Sequence, residues 1–518
     1  MTDTTASPDA AASSATSADS EFDLIVIGAG PVGENVADRA VQGGLTVAIV
    51  ESELVGGECS YWACMPTKAL LRPAHALTAA RRVPGAKEAI TGELDVEAAF
   101  AFRDGAAANW DDSGQAEWVE SAGITLVRGH GRLSGERTVE VEHDGGTRTL
   151  TARHAVAVST GSIAVIPDIP GLAQSRPWTN REAIATSTVP SRLAILGGGV
   201  VASEFATMFA ALGSDVTVLV RGDGLLGSLE PFAGELVAKA LTEAGADVRT
   251  GTSASQVSRE GGGTAAVVGS DPADATTSAN PVTLTLTDDS TLEVDEILVA
   301  TGRRPATDDL GLDTVGLEKG QTLVTDDTLR VLDGDGQPIE WLYAVGDVNG
   351  RALLTHQGKY QARAAGDVIA VRATGGTVDD APWGAHVATA DHEAVPAVVF
   401  TEPEVASIGL TAAQAEKDER TTKVVDYDLA SVAGSSVHAE GYAGQARFIV
   451  DTDRGVLLGA TFVGQDVAEL LQAATTAVVG EVPLHRLWHV VPAYPTLSEV
   501  WLRMLESLGR DTARTTGA

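Results

Sequence analysis

Short apolar runs, each followed at once by glycine, set the rhythm of this chain. The first, residues 23–27 (DLIVI), suits a strand buried on both faces of a parallel sheet. It leads into Gly28, Gly30 and Gly33, spaced G-x-G-x-x-G, then a helical stretch from Glu34 to about Gln42 and a second strand, Thr46–Val50, ending at Glu51. The same grammar returns 169 residues later. The strand Leu193–Leu196 precedes Gly197, Gly199 and Ala202, a helix through Leu212 and the strand Asp215–Val220. One chain thus carries two predicted βαβ nucleotide-binding units. Between them, residues 124–166 show β-rich patterning that ends in the run Ala155–Gly161, and Glu296–Gly302 closes the second unit in the same way. Residues 258–280, rich in Gly, Ala, Ser, Asp and Thr, read as a surface loop. Trp341–Asp347 is a further strand ending in an acid. From about Val395 to Leu508 strands and helices mix without any glycine-rich phosphate loop, which predicts a separate α+β domain.

Composition narrows the class. A length of 518 residues predicts three or four domains at ~100–200 residues each, and 44% hydrophobic with 21% charged residues is an ordinary globular balance. Lys and Arg total 36 against 71 Asp and Glu, a formal charge of −35. That field repels phosphate backbones and anionic lipid surfaces, so neither nucleic acid nor membrane is an expected partner. The acidity fits a salty cytoplasm or simple solubility. No stretch reaches the ~18 consecutive apolar residues of a membrane span. The first twenty residues have neither a basic nor an apolar region of the kind a signal peptide needs, and residues 1–21 read as a disordered acidic tail. A cytoplasmic location is expected.

The first glycine motif follows a strand, opens a helix and has Glu51 at the end of the next strand, the context a dinucleotide requires. One glycine makes the turn, the second admits the pyrophosphate and the third lets helix meet strand. The helix N-terminus offers N–H groups and a positive dipole end to the phosphates, and Glu51 is placed to accept hydrogen bonds from the adenosine ribose. In the second copy Ala202 stands for the third glycine. Glu51 lies 23 positions after Gly28, whereas the residue 23 after Gly197 is Val220, followed by Arg221. An acid there would repel a 2′-phosphate and an arginine could pair with it, so NADPH is preferred over NADH.

The chain's two cysteines, Cys59 and Cys64, stand five residues apart just after the first unit. A secreted disulfide scaffold needs many more, and a metal site needs a further ligand that does not follow in sequence, so no metal is expected. The position beside a dinucleotide unit suggests a redox-active disulfide.

Taken together, Gly28-x-Gly30-x-x-Gly33, Gly57-x-Cys59-x4-Cys64-x-Pro66-Thr67-Lys68, Gly197-x-Gly199 with Glu204, the Thr-Gly pairs Thr160-Gly161 and Thr301-Gly302, Gly346-Asp347, and the segment Phe400–Gly409 make a specific set. On these motifs residues 22–510 resemble the FAD-containing pyridine nucleotide-disulfide oxidoreductases, which include dihydrolipoamide dehydrogenase, glutathione and mycothione reductases and mercuric reductase. The resemblance implies an α/β fold with two Rossmann-like domains and a C-terminal α+β dimerisation domain. FAD would bind residues 22–167 and 313–390, NAD(P)H residues 168–312, and residues 395–510 would form a homodimer. It implies that Cys64 faces the flavin as thiolate and that Cys59 is the interchange thiol that meets a small-molecule acceptor. Lys68 and Glu204 would pair beside the flavin, Asp347 would bind the ribityl chain, and the helix beginning near Thr355 and His356 would point its N-terminus at the flavin ring.

The departure lies near the C-terminus. Disulfide-reducing relatives carry His-x-His-Pro-Thr-Leu-Ser-Glu; here Tyr494 takes the place of the histidine before proline, and Glu499 is retained. A tyrosine at pKa ~10 is a poor base near neutrality but can donate a hydrogen bond. His489, five residues upstream, is an alternative acid/base, although it reads more readily as a surface or packing residue. Tyr61 and Trp62, between the cysteines, replace smaller residues and either narrow the substrate mouth or pack beneath it. The expected activity is transfer of electrons from NAD(P)H through FAD and Cys59–Cys64 to a disulfide or other two-electron acceptor. The alternatives are direct reduction of a quinone, metal ion or small electrophile from the flavin, and an idle FAD-binding structural protein, which the presence of both cysteines opposes. The extra C-terminal cysteine pair of mercuric reductases is absent.

Overall fold

Leu24 and Val26 pack on one face of the first strand and Ile25 and Ile27 on the other, which is why the run carries no alternation. The computed structural model describes residues 20–260 and 280–510. The predicted tail up to residue 19, and residues 261–279 of the predicted surface loop, lie outside the described residues.

The first strand, Glu21–Ile27, pairs in parallel with Val47–Glu51 on one side and Gly146–Val158 on the other. Thr125–Arg128 and Pro338–Ala344 extend the parallel array at its two ends, within an eight-stranded sheet. Pro338–Ala344 comes from beyond the second unit, so the second unit is an insertion in the first. Helices Pro31–Gln42 and Thr355–Ala373 cover one face of this sheet through Val36, Ala40, Ala365 and Val368. The first helix begins at Pro31, three residues earlier than its polar pattern indicates. Proline at the first helical position gives up no bond and holds φ ready for the turn.

The second unit is a four-stranded parallel sheet in the order Asp247–Thr250, Asp215–Val220, Arg192–Leu196, Glu296–Val299, with helix Val200–Ala211 following its glycine loop. A short antiparallel ribbon joins the units: Arg303–Pro305 pairs with Ser162–Ala164, immediately after the two Thr-Gly pairs. The C-terminal block is a five-stranded antiparallel sheet, residues 397–464, whose core stacks Phe448 and Phe462 against Trp501. No helix of the described residues is long and apolar enough to cross a membrane.

Among the helices that the sequence reading did not predict, one begins at a cysteine. Cys64–Arg81 is a helix of 18 residues, although it contains Pro66 and Pro73. Its first residue is Cys64.

Candidate active site

The glycines of the two loops divide by what surrounds them. Gly28 has φ of +99°, and a Cβ there would lie 2.5 Å from the Ser159 carbonyl oxygen; at Gly33 it would lie 1.9 Å from that of Gly28. At Gly30 a Cβ would meet nothing closer than the Gly57 Cα at 4.0 Å. The second loop repeats this: Gly197, at φ of +131°, faces the Ala300 carbonyl at 2.2 Å, while nothing lies within 4 Å of a Cβ at Gly199. The outer positions are glycine, or the buried Ala202, because the protein leaves no room; the middle positions open outward at a helix N-terminus. This is the cradle a dinucleotide pyrophosphate requires.

Glu51 ends its strand beside the first loop. Its carboxylate accepts the N–H of Ala29 and that of Glu53, each at 2.8 Å, and burial pushes its pKa up. Arg221 follows Val220 at the end of its strand, exposed and with no ion pair among the described residues, and the sequence reading gave no weight to exposed Asp223 two positions on.

Gly57 brings the cysteines to the first loop. It has φ of +57°, and a Cβ on it would lie 2.8 Å from the Gly30 Cα. Cys59 lies in the short helix Gly57–Tyr61 and Cys64 opens the next, both half-buried and unbridged. The Cys64 sulfur is 3.3 Å from the Thr355 hydroxyl, at the start of helix Thr355–Ala373. A hydrogen bond from Cys59, the Thr355 hydroxyl and the charge of Lys68 together outweigh burial and hold Cys64 down to about 6. The shared hydrogen bond, burial and the Cys64 charge push Cys59 up. The asymmetry favours ionisation of Cys64 over Cys59.

One turn along the same helix, Lys68 Nζ bonds Glu204 Oε2 at 2.7 Å and lies 4.9 Å from the centre of the Phe400 ring. Glu204 is buried on the helix of the second unit, and its other oxygen accepts the Phe400 N–H at 3.0 Å. First unit, second unit and C-terminal block thus meet at one ion pair.

Asp347, after Gly346, accepts the Ser162 hydroxyl at 2.6 Å, and burial raises its pKa. Thr160 Oγ1 donates to the Ala306 carbonyl, Gly161 accepts from the Ala306 N–H, and Val165 donates to Gly302, so the Thr-Gly pairs form the joint between units. His356 begins its helix beside Thr355, but its ring bonds the Pro396 carbonyl at 2.7 Å and ties that helix to the C-terminal block. Tyr61 is buried with its hydroxyl on the Val55 carbonyl at 2.9 Å, so it packs beneath the loop.

Tyr494 is 77% exposed, as are the nearby Val490 and Val491 at 62% and 84%. Within the one chain it makes no hydrogen bond to either cysteine. Glu499 is buried; Oε1 accepts Arg503 Nη2 at 2.6 Å, and Oε2 has no partner. His489 is exposed. The sequence reading missed Glu58, Asn180, Arg181 and Arg303, which form a network beside Cys59; the signal available was an acid next to a reactive cysteine.

Two glycine-rich βα loops, a dithiol beside the first and an ion pair from the dithiol's helix to the second unit define a class, and comparison with known proteins assigns it. Residues 22–366 match the family described as pyridine nucleotide-disulphide oxidoreductase, and residues 395–505 match its dimerisation domain. The chain belongs to this family. It is therefore an oxidoreductase and flavoprotein of FAD and a pyridine nucleotide, with the family's homodimeric organisation. It is 31% identical to a dihydrolipoyl dehydrogenase of Synechocystis sp. over 93% of this chain and 98% of that one. It is 28% identical to a mercuric reductase of Staphylococcus aureus over 93% and 81%. In fold it matches the HOCl-induced flavoprotein disulfide reductase RclA from Escherichia coli, with a TM-score of 0.77 at 22% identity over 94% of this chain and 100% of that one.

Proposed function

We propose that the enzyme draws electrons from NADPH and delivers them through the Cys59–Cys64 pair to a small-molecule acceptor. The observation that carries the reading is Cys64 at a helix N-terminus, 3.3 Å from the Thr355 hydroxyl and with Lys68 one turn away. Residues 22–167 and 313–390 hold FAD, residues 168–312 hold the nicotinamide nucleotide, and residues 395–510 join two copies. FAD, when bound, supplies the two-electron link between nicotinamide and disulfide. Gly28, Gly30, Gly33, Glu51 and Gly57 shape its diphosphate and ribose end, and Thr160, Gly161, Gly346, Asp347 and the helix opening at Thr355 and His356 shape the rest. Gly197, Gly199, Ala202, Arg221 and Gly302 serve the nicotinamide nucleotide.

Two electrons and one proton open the disulfide to a Cys59 thiol and a Cys64 thiolate, which Thr355 and Lys68 stabilise; Glu204 holds Lys68 in place. Cys59, deprotonated, attacks an acceptor disulfide and expels one thiolate. Cys64 then attacks the Cys59 sulfur, re-forming the internal bond and releasing the second thiolate. Positioned proton transfer to such leaving groups is worth ~10²–10⁴-fold. The place of the proton donor holds Tyr494, brought from the other subunit, with Glu499 behind it. Acceptors that need little protonation, activated disulfides or quinones, suit this site better than dialkyl disulfides do, and dihydrolipoamide is expected to be a slow donor. Tyr494 is also what favours the second reading, reduction of a quinone, metal ion or other electrophile directly from the flavin.

Anaerobic NADPH titration separates the two. A long-wavelength thiolate–flavin band, lost in Cys64→Ser and permanent in Cys59→Ser, supports the dithiol route; bleaching without that band favours direct reduction. Tyr494→His is expected to raise lipoamide or disulfide turnover by ~10²-fold and leave quinone reduction nearly unchanged. Brisk lipoamide turnover by the unaltered enzyme would overturn this account of the substrate.

A further inference from the structure

The loop between the cysteines is held from outside its own unit. Asn180 and Arg181 open a short helix, Asn180–Ala185, whose capping box joins Thr179 and Glu182. This helix belongs with the second sheet, since the neighbouring Trp178 bridges Leu298. Asn180 is buried; its Nδ2 donates to Glu58 Oε1 at 2.7 Å and to the Trp62 carbonyl at 2.9 Å. Arg181 Nε donates to the other Glu58 oxygen at 2.8 Å, and its two outer nitrogens bond Glu53 at 3.1 and 3.0 Å. The same guanidinium lies 4.3 Å from the centre of the Trp62 ring. Arg303 closes the network on Asn180 Oδ1 at 3.2 Å. Against the burial that would raise it, Arg181 and Arg303 hold the Glu58 carboxyl below its usual range. Glu58 and Trp62 flank the segment that begins at Cys59, and the Trp62 N–H donates to the Glu58 carbonyl at 2.8 Å. Carboxylate, indole face and carbonyl are therefore all fixed by two consecutive residues of another unit.

We propose that Arg181, with Asn180, is a positioning residue for Cys59, acting through Glu58 and Trp62 to hold the intercysteine loop in the one shape that can close the disulfide. The inference rests on the redox role proposed for the pair. A disulfide forms only when the sulfurs reach ~2.05 Å with a narrow range of dihedral angle. A loop free to explore other shapes presents Cys59 to Cys64 at a lower effective concentration, and the disulfide becomes easier to reduce. The planar guanidinium suits this task because it can satisfy two carboxylates in its plane while its face lies on an indole; an ammonium cannot do both.

The test equilibrates the FAD-loaded enzyme with glutathione and glutathione disulfide, traps free thiols by alkylation and counts them by mass. The internal disulfide and two glutathiones exchange with the dithiol and one glutathione disulfide, so the ratio reads the stability of the bond directly. Arg181→Lys and Trp62→Ala are each expected to shift this equilibrium about tenfold toward the dithiol, equivalent to ~30 mV for two electrons. Trp62→Phe, which restores a ring face, is expected to stay within about threefold of the unaltered enzyme. Variants that lose thermal stability yet keep the unaltered thiol–disulfide ratio would overturn the proposal and leave the redox reading standing. An unaltered enzyme whose cysteines never form an internal disulfide under any glutathione ratio would instead remove the redox reading itself. If Arg181→Lys does not fold, Asn180→Ala and Trp62→Ala carry the same expectation, and an unchanged ratio in both overturns it.

Discussion

The two glycine loops match in backbone and differ in what is built around them. Both turn on a glycine of positive φ pressed against a neighbouring carbonyl, and both leave the middle glycine open. Around the first loop the chain adds Gly57 and the cysteine helices, so Gly30 faces another backbone across a narrow gap. Around the second, the Leu226 N–H donates to the Gly198 carbonyl at 2.7 Å, but nothing lies within 4 Å of a Cβ on Gly199 and Arg221 stands exposed at the strand end. Equivalent positions diverge as well. Ser203, in the first turn of the second helix, is satisfied by the Gly199 carbonyl at 3.0 Å, whereas its counterpart Glu34 is buried with Oε1 unpartnered. The turn thus determines where a diphosphate can lie, and the surroundings determine whether the ligand is enclosed as a resident cofactor or can exchange.

Adding one methyl group to each middle glycine tests that contrast most sharply. On the proposed assignment, Gly30→Ala places a Cβ where the FAD diphosphate approaches. The protein should purify folded by circular dichroism but with FAD affinity reduced by ~100-fold or more, because the diphosphate contacts are lost together. Gly199→Ala should keep its flavin and raise KM for NADPH by roughly tenfold or more. A flavin-free Gly199→Ala protein, or a fully loaded Gly30→Ala one, would reverse the assignment of the two units.

The glycine loops, the buried strands and the cysteine pair are legible in the sequence because their constraints are local. A positive φ beside a carbonyl leaves only glycine, and a strand covered on both faces admits only apolar residues. Helix Cys64–Arg81 is not legible, since Pro66 and Pro73 read as breaks and only packing of Leu70, Leu71 and Ala74 shows that the chain stays helical. The network on Glu58 is hidden for a different reason: Asn180 lies 122 positions away and meets it only because the second unit is inserted into the first. Tyr494 is legible as a substitution, but what it faces is not, because its surroundings in one chain are solvent.

A smaller effect separates the two strand ends. Glu51 carries two backbone N–H groups, so an acid there is built in; the matching end of the second sheet holds Val220 and Arg221. Arg221→Glu should lower kcat/KM with NADPH by about tenfold and leave NADH little changed, since a charge-assisted bond to the 2′-phosphate becomes a repulsion. Equal or better use of NADH by the unaltered enzyme would overturn the preference assigned to Arg221.

The smallest expected effect tests the odd residue of the first loop. Burial, with help from the Glu51 charge and against that of Lys359, pushes Glu34 from its ordinary 4.5 up to about 7. In the unfolded chain the same carboxyl ionises near 4.5. Between those two values the folded protein holds a proton that the unfolded chain has released. Stability contributed by this site is therefore fully present below pH 4.5, falls as pH rises to about 7, and is flat above that. At ~1.4 kcal/mol per pH unit the whole window is worth up to ~3 kcal/mol, and relaxation around the carboxylate reduces it to about 1–2 kcal/mol. Glu34→Gln is neutral at every pH, so it should match the unaltered protein near pH 4.5 and exceed it by a few degrees in Tm at pH 8. The difference between the two proteins isolates Glu34, because Glu402, also raised to about 7 by burial, titrates equally in both. Glu34→Ser, which copies the second loop, should behave as Glu34→Gln does in its pH dependence. Parallel Tm profiles for all three proteins from pH 4.5 to 8 would mean that the Glu34 carboxyl ionises near 4.5 in the folded protein as it does in the unfolded chain, and that the first loop tolerates an acid as easily as the second tolerates a serine.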